Sequence, residues 1–514
     1  MTNETGAHFL LENLLKSGVD TCFANPGTSE MHLTAAMEDY PDVTKVLCLF
    51  EGGATGAADG YARMTRKPAA TLLHLGPGLA NGLANLHNAK KAGSSMINIV
   101  GDHTTFHKKY DAPLNSDVEG TARPYSDWVK TTQGPGTLGT DAAEAIAAAK
   151  SHGGQIATLI IPADVAWSER DAELVYVTPT QQAPESAAIE QALQWLQNGK
   201  PTGIILGQDA LFGEGLKLAG QIAAGSGATL LSPYASARTE RGYDLPETTR
   251  IPFPVDAAVA TLSRFEQLIL IGADEPVAFF AYPGKPSRVA PETAKLMSVA
   301  TPRDDIGRAL KQLATLIGPA KSPTPESLNV PVSAGALTPD LLTDVVAASV
   351  TEGLIIVDEG VTSTRSFFGK SAGCPRHDYL VNVGGSIGAG LPLALGAGIA
   401  CPDRPVLCLS GDGSAAFTLQ ALWSMARHNL NVTTIICANN SYEILKGEMF
   451  RVGAMTPDGP KNPLLELDGP CMNWVSLAEG FGVSAQRCET AEDLTAVLQT
   501  SLASPGPYLI EAAL

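Results

Sequence analysis

Two oxygen-bearing side chains, Asp412 and Asn439, each lie within two residues of the end of an apolar, strand-like run. Asp412 lies in the glycine-rich segment 411–414, and Asn440 and Ser441 follow Asn439. Carboxylate and amide oxygens are hard ligands that suit Mg²⁺, which is usually shared with phosphate oxygens. Glycines let a backbone approach phosphates closely, and a helix N-terminus favours their negative charge. The pattern therefore predicts a site for Mg²⁺ and a diphosphate group.

The apolar runs 405–410 and 432–438 predict the two strands that position these side chains. In open α/β sheets, ligands bind outside the carboxyl ends of the strands. We expect Asp412, the Asn439 side chain and the Ser441 backbone carbonyl to bind the metal, with Asn440 as the alternative to Asn439. A surface turn followed by an Asn-Asn loop is the simpler interpretation, but the flanking strands and the predicted helix 418–429 favour the metal site.

A second glycine-rich segment, 384–390, precedes a helix of small residues predicted over 391–400. It is not typical of a dinucleotide site, because no acidic residue follows a second strand at the expected distance. Close packing of a helix on a strand would also explain these glycines.

Glu51 follows a strand-like run that ends at residue 50 and opens a helix predicted over 52–64. A carboxylate at a strand end, beside apolar walls, can share a proton with a ring nitrogen of a bound group. The alternative is a glutamate that only interacts favourably with the positive end of its helix.

Histidines and one hydroxyl at other strand ends are further candidates. His74 closes the strand predicted over 69–74, and a histidine there can hold a carboxylate and transfer protons, or merely cap the strand. His103, with His107 behind it, follows the run 96–100, and both could equally be exposed loop residues. Thr28 could bind substrate or cap the next helix. His87 is expected to be structural.

Apolar runs alternate with amphipathic segments along the whole chain, which predicts parallel sheets covered by helices on both faces. Segments rich in proline, at 177–184 and 318–333, separate three such regions in the 514 residues. We therefore predict an α/β protein with three doubly wound parallel-sheet domains at 1–180, 181–332 and 333–514.

The composition excludes several classes of function. The net charge of −18 leaves no basic surface for nucleic acid. The eight cysteines form no CxxC pair, which is typical of a reducing compartment. The N-terminus lacks the features of a signal peptide, and no apolar run is long enough to span a membrane. We expect a cytoplasmic protein.

Several motifs occur in the order found in one enzyme superfamily. They are Asn-Pro-Gly-Thr at 25–28, the glutamate helix at 51–63, Gly-Pro-Gly at 76–78, and the segments 384–392 and 411–442. Across nearly its whole length the chain resembles the thiamin-diphosphate enzymes that include acetolactate synthase, benzoylformate decarboxylase and pyruvate decarboxylase. The resemblance implies a pyrimidine-binding, a central and a diphosphate-binding domain, with thiamin diphosphate and Mg²⁺ as cofactors.

The resemblance also assigns roles to residues. Those implied in cofactor binding are Asn25, Pro26, Gly27, Thr362, Gly385, Ile387, Gly411, Gly413, Ser414 and Tyr442. Ile387 would lie under the bend of the cofactor, and the Gly385 carbonyl would accept a hydrogen bond from its amino group. Glu51 would share a proton with the pyrimidine ring of a cofactor held by the partner subunit. A homodimer or homotetramer is therefore expected.

The implied reaction is decarboxylation of a 2-oxo acid, carboligation of the product, or both. His74 and Thr28 stand where benzoylformate decarboxylases carry a histidine and a serine, whereas Gly-Pro-Gly is more similar to acetolactate synthase. The segment 276–282 lacks the second histidine of those decarboxylases, so Phe279, Phe280 or Tyr282 would line the substrate pocket, with Leu445 and Glu448 above it.

Three questions stay open. FAD could bind in the central domain, as it does in acetolactate synthases, but no glycine-rich or arginine-rich pattern favours it. The chain could instead be a 2-hydroxyacyl-CoA lyase. It could also be a catalytically silent, cofactor-binding regulatory subunit.

Overall fold

The computed structural model describes residues 4–169, 173–454 and 461–514. The strands are β1 (Thr21–Asn25), β2 (Thr44–Leu47), β3 (Ala69–His74), β4 (Met96–Asp102), β5 (Trp128–Thr131), β6 (Ile156–Pro162), β7 (Thr202–Leu206), β8 (Thr229–Ser232), β9 (Thr239–Arg241), β10 (Thr249–Arg250), β11 (Gln267–Ile271), β12 (Lys295–Ala300), β13 (Ile355–Glu359), β14 (His377–Val381), β15 (Val406–Gly411), β16 (Val432–Ala438), β17 (Ser484–Cys488) and β18 (Tyr508–Ala513).

The helices are α1 (Gly6–Lys16), α2 (Met31–Ala36), α3 (Glu51–Thr65), α4 (Leu75–Ala92), α5 (Val118–Ala122), α6 (Leu138–Lys150), α7 (Ala163–Trp167), α8 (Ser186–Gln197), α9 (Gly213–Ser226), α10 (Val255–Leu262), α11 (Ile306–Ile317), α12 (Pro339–Ala348), α13 (Phe367–Lys370), α14 (Gly390–Ala400), α15 (Asp412–Ala415), α16 (Ala421–Arg427), α17 (Glu443–Arg451), α18 (Trp474–Gly480) and α19 (Ala491–Ala503). None of them, within the residues described, is both long and apolar enough to cross a membrane.

The strands form three sheets, one in each region of the chain. The first has the order β2-β1-β3-β4-β6-β5 and the second β10-β8-β7-β11-β12, and all their strands are parallel. Continuous apolar runs such as β4 and β6 are buried along their whole length, as expected for parallel sheets covered on both faces. The predicted α/β class is confirmed.

The third sheet has the order β17-β18-β16-β15-β13-β14-β9. Strand β9 comes from the middle region and pairs antiparallel with β14, whereas the other pairs are parallel. The middle region therefore completes the sheet of the third region, a link that the predicted boundary at 332 does not express.

Helices α3 and α14 join the first and third regions with almost no side chain between them. A Cβ atom added to Gly60 would lie 2.2 Å from the Leu393 carbonyl oxygen, and one added to Gly396 would lie 1.9 Å from the Ala57 carbonyl oxygen. Only glycine permits so close an approach of two backbones. The small residues that predicted these helices are therefore needed for their packing.

Some boundaries differ from the sequence-based expectation. The predicted strand at 45–50 ends at Leu47, because Phe50 is already the N-cap of α3. The expected glycine turn at 411–414 is a helical turn that begins at Asp412, and the helix predicted over 418–429 is only Ala421–Arg427. These shifts move no candidate side chain to another edge of its sheet.

Candidate active site

Asp412 and Asn439 lie side by side because two neighbouring strands end there. Strands β15 and β16 are parallel, and Gly411 is paired with Cys437, so the next residues emerge at the same edge. The sequence-based placement at a carboxyl edge of the sheet is therefore correct.

Backbone N–H groups orient the oxygens of this corner. The Asp412 carboxylate accepts hydrogen bonds from the nitrogens of Gly413, at 2.8 Å, and Asn440, at 2.6 Å. The Asn439 Oδ1 atom accepts one from the Ser441 nitrogen at 3.0 Å. Burial raises the pKa of Asp412, and the two backbone hydrogen bonds partly offset that increase.

The donor set fits Mg²⁺. Asp412 is only 2 % exposed and forms its hydrogen bonds with neutral N–H groups, so a cation would compensate its buried charge. The described residues contain no group of three or more His, Cys, Asp or Glu side chains placed to hold a metal. The predicted magnesium ligands are of a different kind, because they combine one carboxylate with an amide oxygen and a backbone carbonyl.

A cavity of about 230 Å³ opens above this corner. The predicted residues that line it are Thr362, Ile387, Gly411, Asp412, Gly413, Ser414, Asn439, Ser441, Tyr442 and Leu445. Further lining residues, which the sequence did not single out, are Gly360, Val361, Ser363, Phe417, Cys437, Glu443 and Ile444. Asn439 lines the cavity and Asn440 does not, so the geometry favours Asn439 of the two alternatives.

Three residues beside candidate side chains have a left-handed backbone, as do five described non-glycine residues elsewhere: Arg66, Asp111, His152, Gln208 and Asn429. Val361 and Asn440 have φ values of +52° and +53°, and Leu75, which follows His74, has +51°. The left-handed region is rare for branched residues and costs about 1–3 kcal/mol per residue, a cost most often met at functional sites.

The segment 384–389 lies on a buried carboxylate that sequence reasoning missed. Glu359, at the end of β13, accepts hydrogen bonds from the backbone nitrogens of Ala389 and Gly390, at 3.1 and 2.8 Å, and from Asn382 Nδ2 at 3.0 Å. Burial raises the pKa of Glu359, and these hydrogen bonds oppose the shift. The available signal was the pair Asp358 and Glu359, two carboxylates that follow the buried run 354–357.

Contacts with α4 of the same chain also hold this segment. Asn85 Nδ2 donates to the carbonyl oxygens of Gly52, at 2.8 Å, and Gly388, at 3.2 Å. His87, expected to be structural, contacts the Gly384 carbonyl oxygen at 3.1 Å. The start of α3 and the glycine-rich segment are thus linked within one chain.

Glu51 lies at the first turn of α3 and is 9 % exposed. Its Oε2 atom accepts a hydrogen bond from Asn81 Nδ2 at 3.0 Å. A Cβ atom added to Gly78 would lie 3.2 Å from both Glu51 Oε1 and His74 Cβ, so the two side chains flank this glycine. The first region therefore brings Glu51 and His74 together, while Glu51 is not among the residues that line the 230 Å³ cavity of its own chain.

His74 is held by two residues that the sequence analysis did not name. Its Nδ1 atom lies 2.9 Å from Glu30 Oε2 and 3.0 Å from Ser29 Oγ. Gly27 lies against the ring, and a Cβ atom there would be 2.3 Å from it. His74 therefore does more than cap the end of its strand, because its ring contacts two side chains from another element.

The other residues of the 25–28 motif have simpler surroundings. Asn25 Nδ2 donates to the Cys48 carbonyl oxygen at 2.8 Å and so links β1 to the end of β2. Pro26 connects it to Gly27, the N-cap of a short 3₁₀ helix, Thr28–Glu30. Thr28 is exposed and forms no capping hydrogen bond, so a capping role does not explain it.

His103 is not part of either cluster in the residues described. Its ring packs at 5.7 Å from that of His107, and its buried Nε2 atom has no hydrogen-bond partner within them. The neighbouring Asp102 pairs with Lys108 at 2.5 Å. His103 therefore has the weakest structural support of the predicted catalytic residues.

The predicted substrate residues of the middle region reach the third region. Tyr282 donates a hydrogen bond to Glu448 at 2.6 Å, and burial followed by this contact raises the pKa of Tyr282 to about 12. Phe279 packs beside Phe280, and its ring would meet a Cβ atom on Gly385 at 2.7 Å. Gly385 also has φ +80°, so both its backbone conformation and the nearby Phe279 ring exclude a side chain there.

The three α/β sheets and the cavity at the strand ends are typical of a cofactor-binding enzyme. Comparison with known proteins shows which family of enzymes this is. Models of the N-terminal and C-terminal thiamine pyrophosphate (thiamin diphosphate) binding domains of thiamine pyrophosphate enzymes match residues 4–119 and 363–512. The chain belongs to this family of thiamin-diphosphate enzymes.

Among its relatives is the Mycobacterium tuberculosis protein IlvX, provisionally named an acetolactate synthase large subunit, which is 46% identical over 98% of both chains. A benzoylformate decarboxylase of Pseudomonas aeruginosa is 28% identical over 97% of both chains. The structure of a thiamine diphosphate-dependent 4-hydroxybenzoylformate decarboxylase from Rhodococcus jostii superimposes with a TM-score of 0.87, at 25% identity and over 99% of both chains. The chain is thus similar to both branches that its motifs combine.

Proposed function

We propose that this protein is a Mg²⁺- and thiamin-diphosphate-dependent enzyme that decarboxylates a 2-oxo acid, joins the product to a second carbonyl compound, or does both. The observation that supports this most directly is the convergence of Asp412, Asn439, Ser441 and Ile387 on one cavity. The cofactor, when bound, supplies a nucleophilic carbon and stabilises the charge left by departing CO₂.

The residues of the chain would divide the remaining work. Asp412, Asn439 and the Ser441 carbonyl would hold Mg²⁺, and Gly411, Gly413 and Ser414 would face the diphosphate. Glu51 would share a proton with the pyrimidine ring, with one of its oxygens already fixed by Asn81. His74 would bind the substrate carboxylate or transfer a proton at its Nε2 atom.

A second copy of the chain completes the proposed site. Glu51 and His74 lie on the first region, and the 230 Å³ cavity is lined by residues of the third region alone. An active site shared between subunits, in a homodimer or homotetramer, would bring Glu51 of one copy to the cofactor held by the other.

FAD in the middle region is not favoured. A cavity of about 370 Å³ lies beyond the carboxyl ends of β7, β8 and β11, where a nucleotide could bind. Its charged lining residues are Lys91, Asp274 and Glu275, and two carboxylates against one cation do not favour a diphosphate group.

Activity measurements with matched variants would test the proposal. Release of CO₂ should be measured from pyruvate, benzoylformate, 4-hydroxybenzoylformate and longer 2-oxo acids, with the cofactor and Mg²⁺ present. At least one acid should be turned over, and Glu51→Gln should lower kcat by about 10²- to 10⁴-fold, the usual contribution of a proton-transferring group. Glu38→Gln, an exposed carboxylate of the same region, is the control.

Two outcomes would favour the alternatives. Bound cofactor without turnover of any 2-oxo acid would argue for a 2-hydroxyacyl-CoA lyase, which cleavage of a 2-hydroxyacyl-CoA would then reveal. An activity that Glu51→Gln leaves unchanged would contradict the assigned mechanism. Glu51, Asp412 and Asn439 are all present, which argues against a silent regulatory subunit.

A further inference from the structure

Glu30 is a completely buried carboxylate whose partners all belong to the neighbourhood of His74. Its exposure is 0 %, and its Oε2 atom lies 2.7 Å from the Gly27 nitrogen and 2.9 Å from His74 Nδ1. Ser29 donates its hydroxyl proton to the other oxygen. A buried carboxylate is costly unless hydrogen bonds compensate its charge, and here three donors converge on it.

Two backbone positions next to Glu30 and His74 have no room for a side chain. Gly101 lies on β4, beside β3, and a Cβ atom there would lie 1.8 Å from Glu30 Oε1. A Cβ atom on Gly27 would meet the His74 ring at 2.3 Å. Two glycines that are 74 positions apart in the chain are thus needed to seat one glutamate and one histidine.

The contact determines which nitrogen of His74 carries the proton. An ionised carboxylate can only accept hydrogen bonds, so the Nδ1 atom facing Glu30 must be the donor. The neutral ring then has a free lone pair on Nε2, which forms no hydrogen bond within the residues described. His74 is 21 % exposed, and across Gly78 it neighbours Glu51.

We propose that Glu30 is a positioning residue that fixes His74 in the tautomer with a proton on Nδ1 and so keeps Nε2 ready to exchange a proton with the substrate. This rests on the proposed function, in which His74 acts in turnover. A purely structural role is the competing explanation, because the same carboxylate accepts from the Gly27 nitrogen at the start of the 3₁₀ helix.

A tautomer measurement tests the proposal without any activity. The protein labelled with ¹⁵N-histidine would be examined by NMR, and the His74 signals assigned from their loss in His74→Ala. We expect the wild type to show a protonated Nδ1. In Glu30→Leu no carboxylate remains to accept the Nδ1 proton, so the ring should shift towards the form with the proton on Nε2, which predominates in free neutral histidine. Asp39→Asn, which alters another histidine–carboxylate pair, His8 with Asp39 at 3.0 Å, should leave the His74 signals unchanged.

A double-mutant cycle separates positioning from structure. Glu30→Leu alone should lower kcat about 10- to 100-fold, with KM and cofactor affinity changed less than about threefold. Added to His74→Ala, it should cost less than about a further twofold, because residues that act as a unit are not additive.

Two results would overturn the proposal: an unchanged His74 tautomer in Glu30→Leu, or an equal loss of kcat in both backgrounds. If no 2-oxo acid is turned over at all, the proposed function fails, while the NMR result still decides whether Glu30 sets the tautomer.

Discussion

Replacing Glu359 with glutamine should weaken cofactor binding much more than it weakens the fold. The carboxylate accepts three hydrogen bonds, two of them from the backbone nitrogens of Ala389 and Gly390. Glutamine keeps one acceptor oxygen and turns the other position into a donor. If the oxygen stays with Ala389 and Asn382, the amide group faces the Gly390 nitrogen, donor against donor.

The expected loss follows from that one mismatch. A hydrogen bond to a charged group contributes about 1.5–3 kcal/mol, and a buried donor left without a partner costs about 1–3 kcal/mol. If about 2 kcal/mol of this is spent on reordering the segment 384–389 when the cofactor binds, the dissociation constant rises about 30-fold. Burial raises the pKa of Glu359, so the charge itself is costly, and removing it returns part of the lost stability.

Titration of the apoprotein with thiamin diphosphate at saturating Mg²⁺, followed by tryptophan fluorescence, would measure this. Glu511→Gln is the control, because Glu511 is also 4 % exposed in the same sheet but pairs with Arg487 on β17. The control should lower the unfolding temperature without weakening cofactor binding. A dissociation constant for Glu359→Gln within threefold of the wild type would refute the reasoning.

Three further predictions concern packing, an ion pair and pH. Gly413→Ala places a methyl group 2.4 Å from the Tyr442 ring, so overpacking by about 1–3 kcal/mol should weaken Mg²⁺-dependent cofactor binding about tenfold or more, as the same titration would show. Asp59→Asn leaves the buried Arg63, paired with Asp59 at 2.6 Å, without its charge partner. The free energy of unfolding should fall by about 3–5 kcal/mol, seen as a lower unfolding temperature. Asp256→Asn, which breaks an exposed ion pair with Lys285, is the control and should have little effect. Burial lowers the pKa of His377 to about 4, so protonation favours the unfolded chain. The free energy of unfolding should therefore fall by up to about 3 kcal/mol as the pH drops from about 6.5 towards 4. In thermal scans, His377→Gln should make the unfolding temperature less dependent on pH over this range.

The residues of the site that the sequence located best share one property: each is the last residue of a parallel strand or directly follows one. Asp412, Asn439 and His74 were found in this way, since the carboxyl ends of parallel strands meet at one edge. Glu359 obeys the same rule and could have been found. The order of the strands could not be read from the runs alone, because β17 is largely polar on its exposed positions and β9 is a three-residue strand that pairs antiparallel across regions.

Glu30 and Ser29 could not have been found by that rule. They lie in a short helix, and their role depends on His74 and Gly101, which are distant in sequence and adjacent only through the pairing of β3 with β4. A glutamate three residues after an N-cap residue is a common signature of a helix N-terminus. From the sequence, Glu30 would therefore be interpreted as a capping residue and not as a partner of a histidine. Only the three-dimensional arrangement shows that one carboxylate both caps the helix and binds a candidate catalytic side chain.

The packing of α3 against α14 fixes the two parts of one chain that would each contribute to a different active site of the proposed dimer. Glu51 begins α3, and the segment with Ile387 leads into α14, so the distance between the two regions is set where these helices touch. Because Gly60 and Gly396 bring backbone against backbone, no flexible side chain can absorb a displacement there. Each chain therefore holds Glu51 and the segment of Ile387 at a fixed spacing, whereas Phe279, Leu445 and Thr28 are exposed. We therefore expect substitutions of Phe279 and Thr28, which do not line the 230 Å³ cavity, to alter the choice of substrate more than the binding of the cofactor.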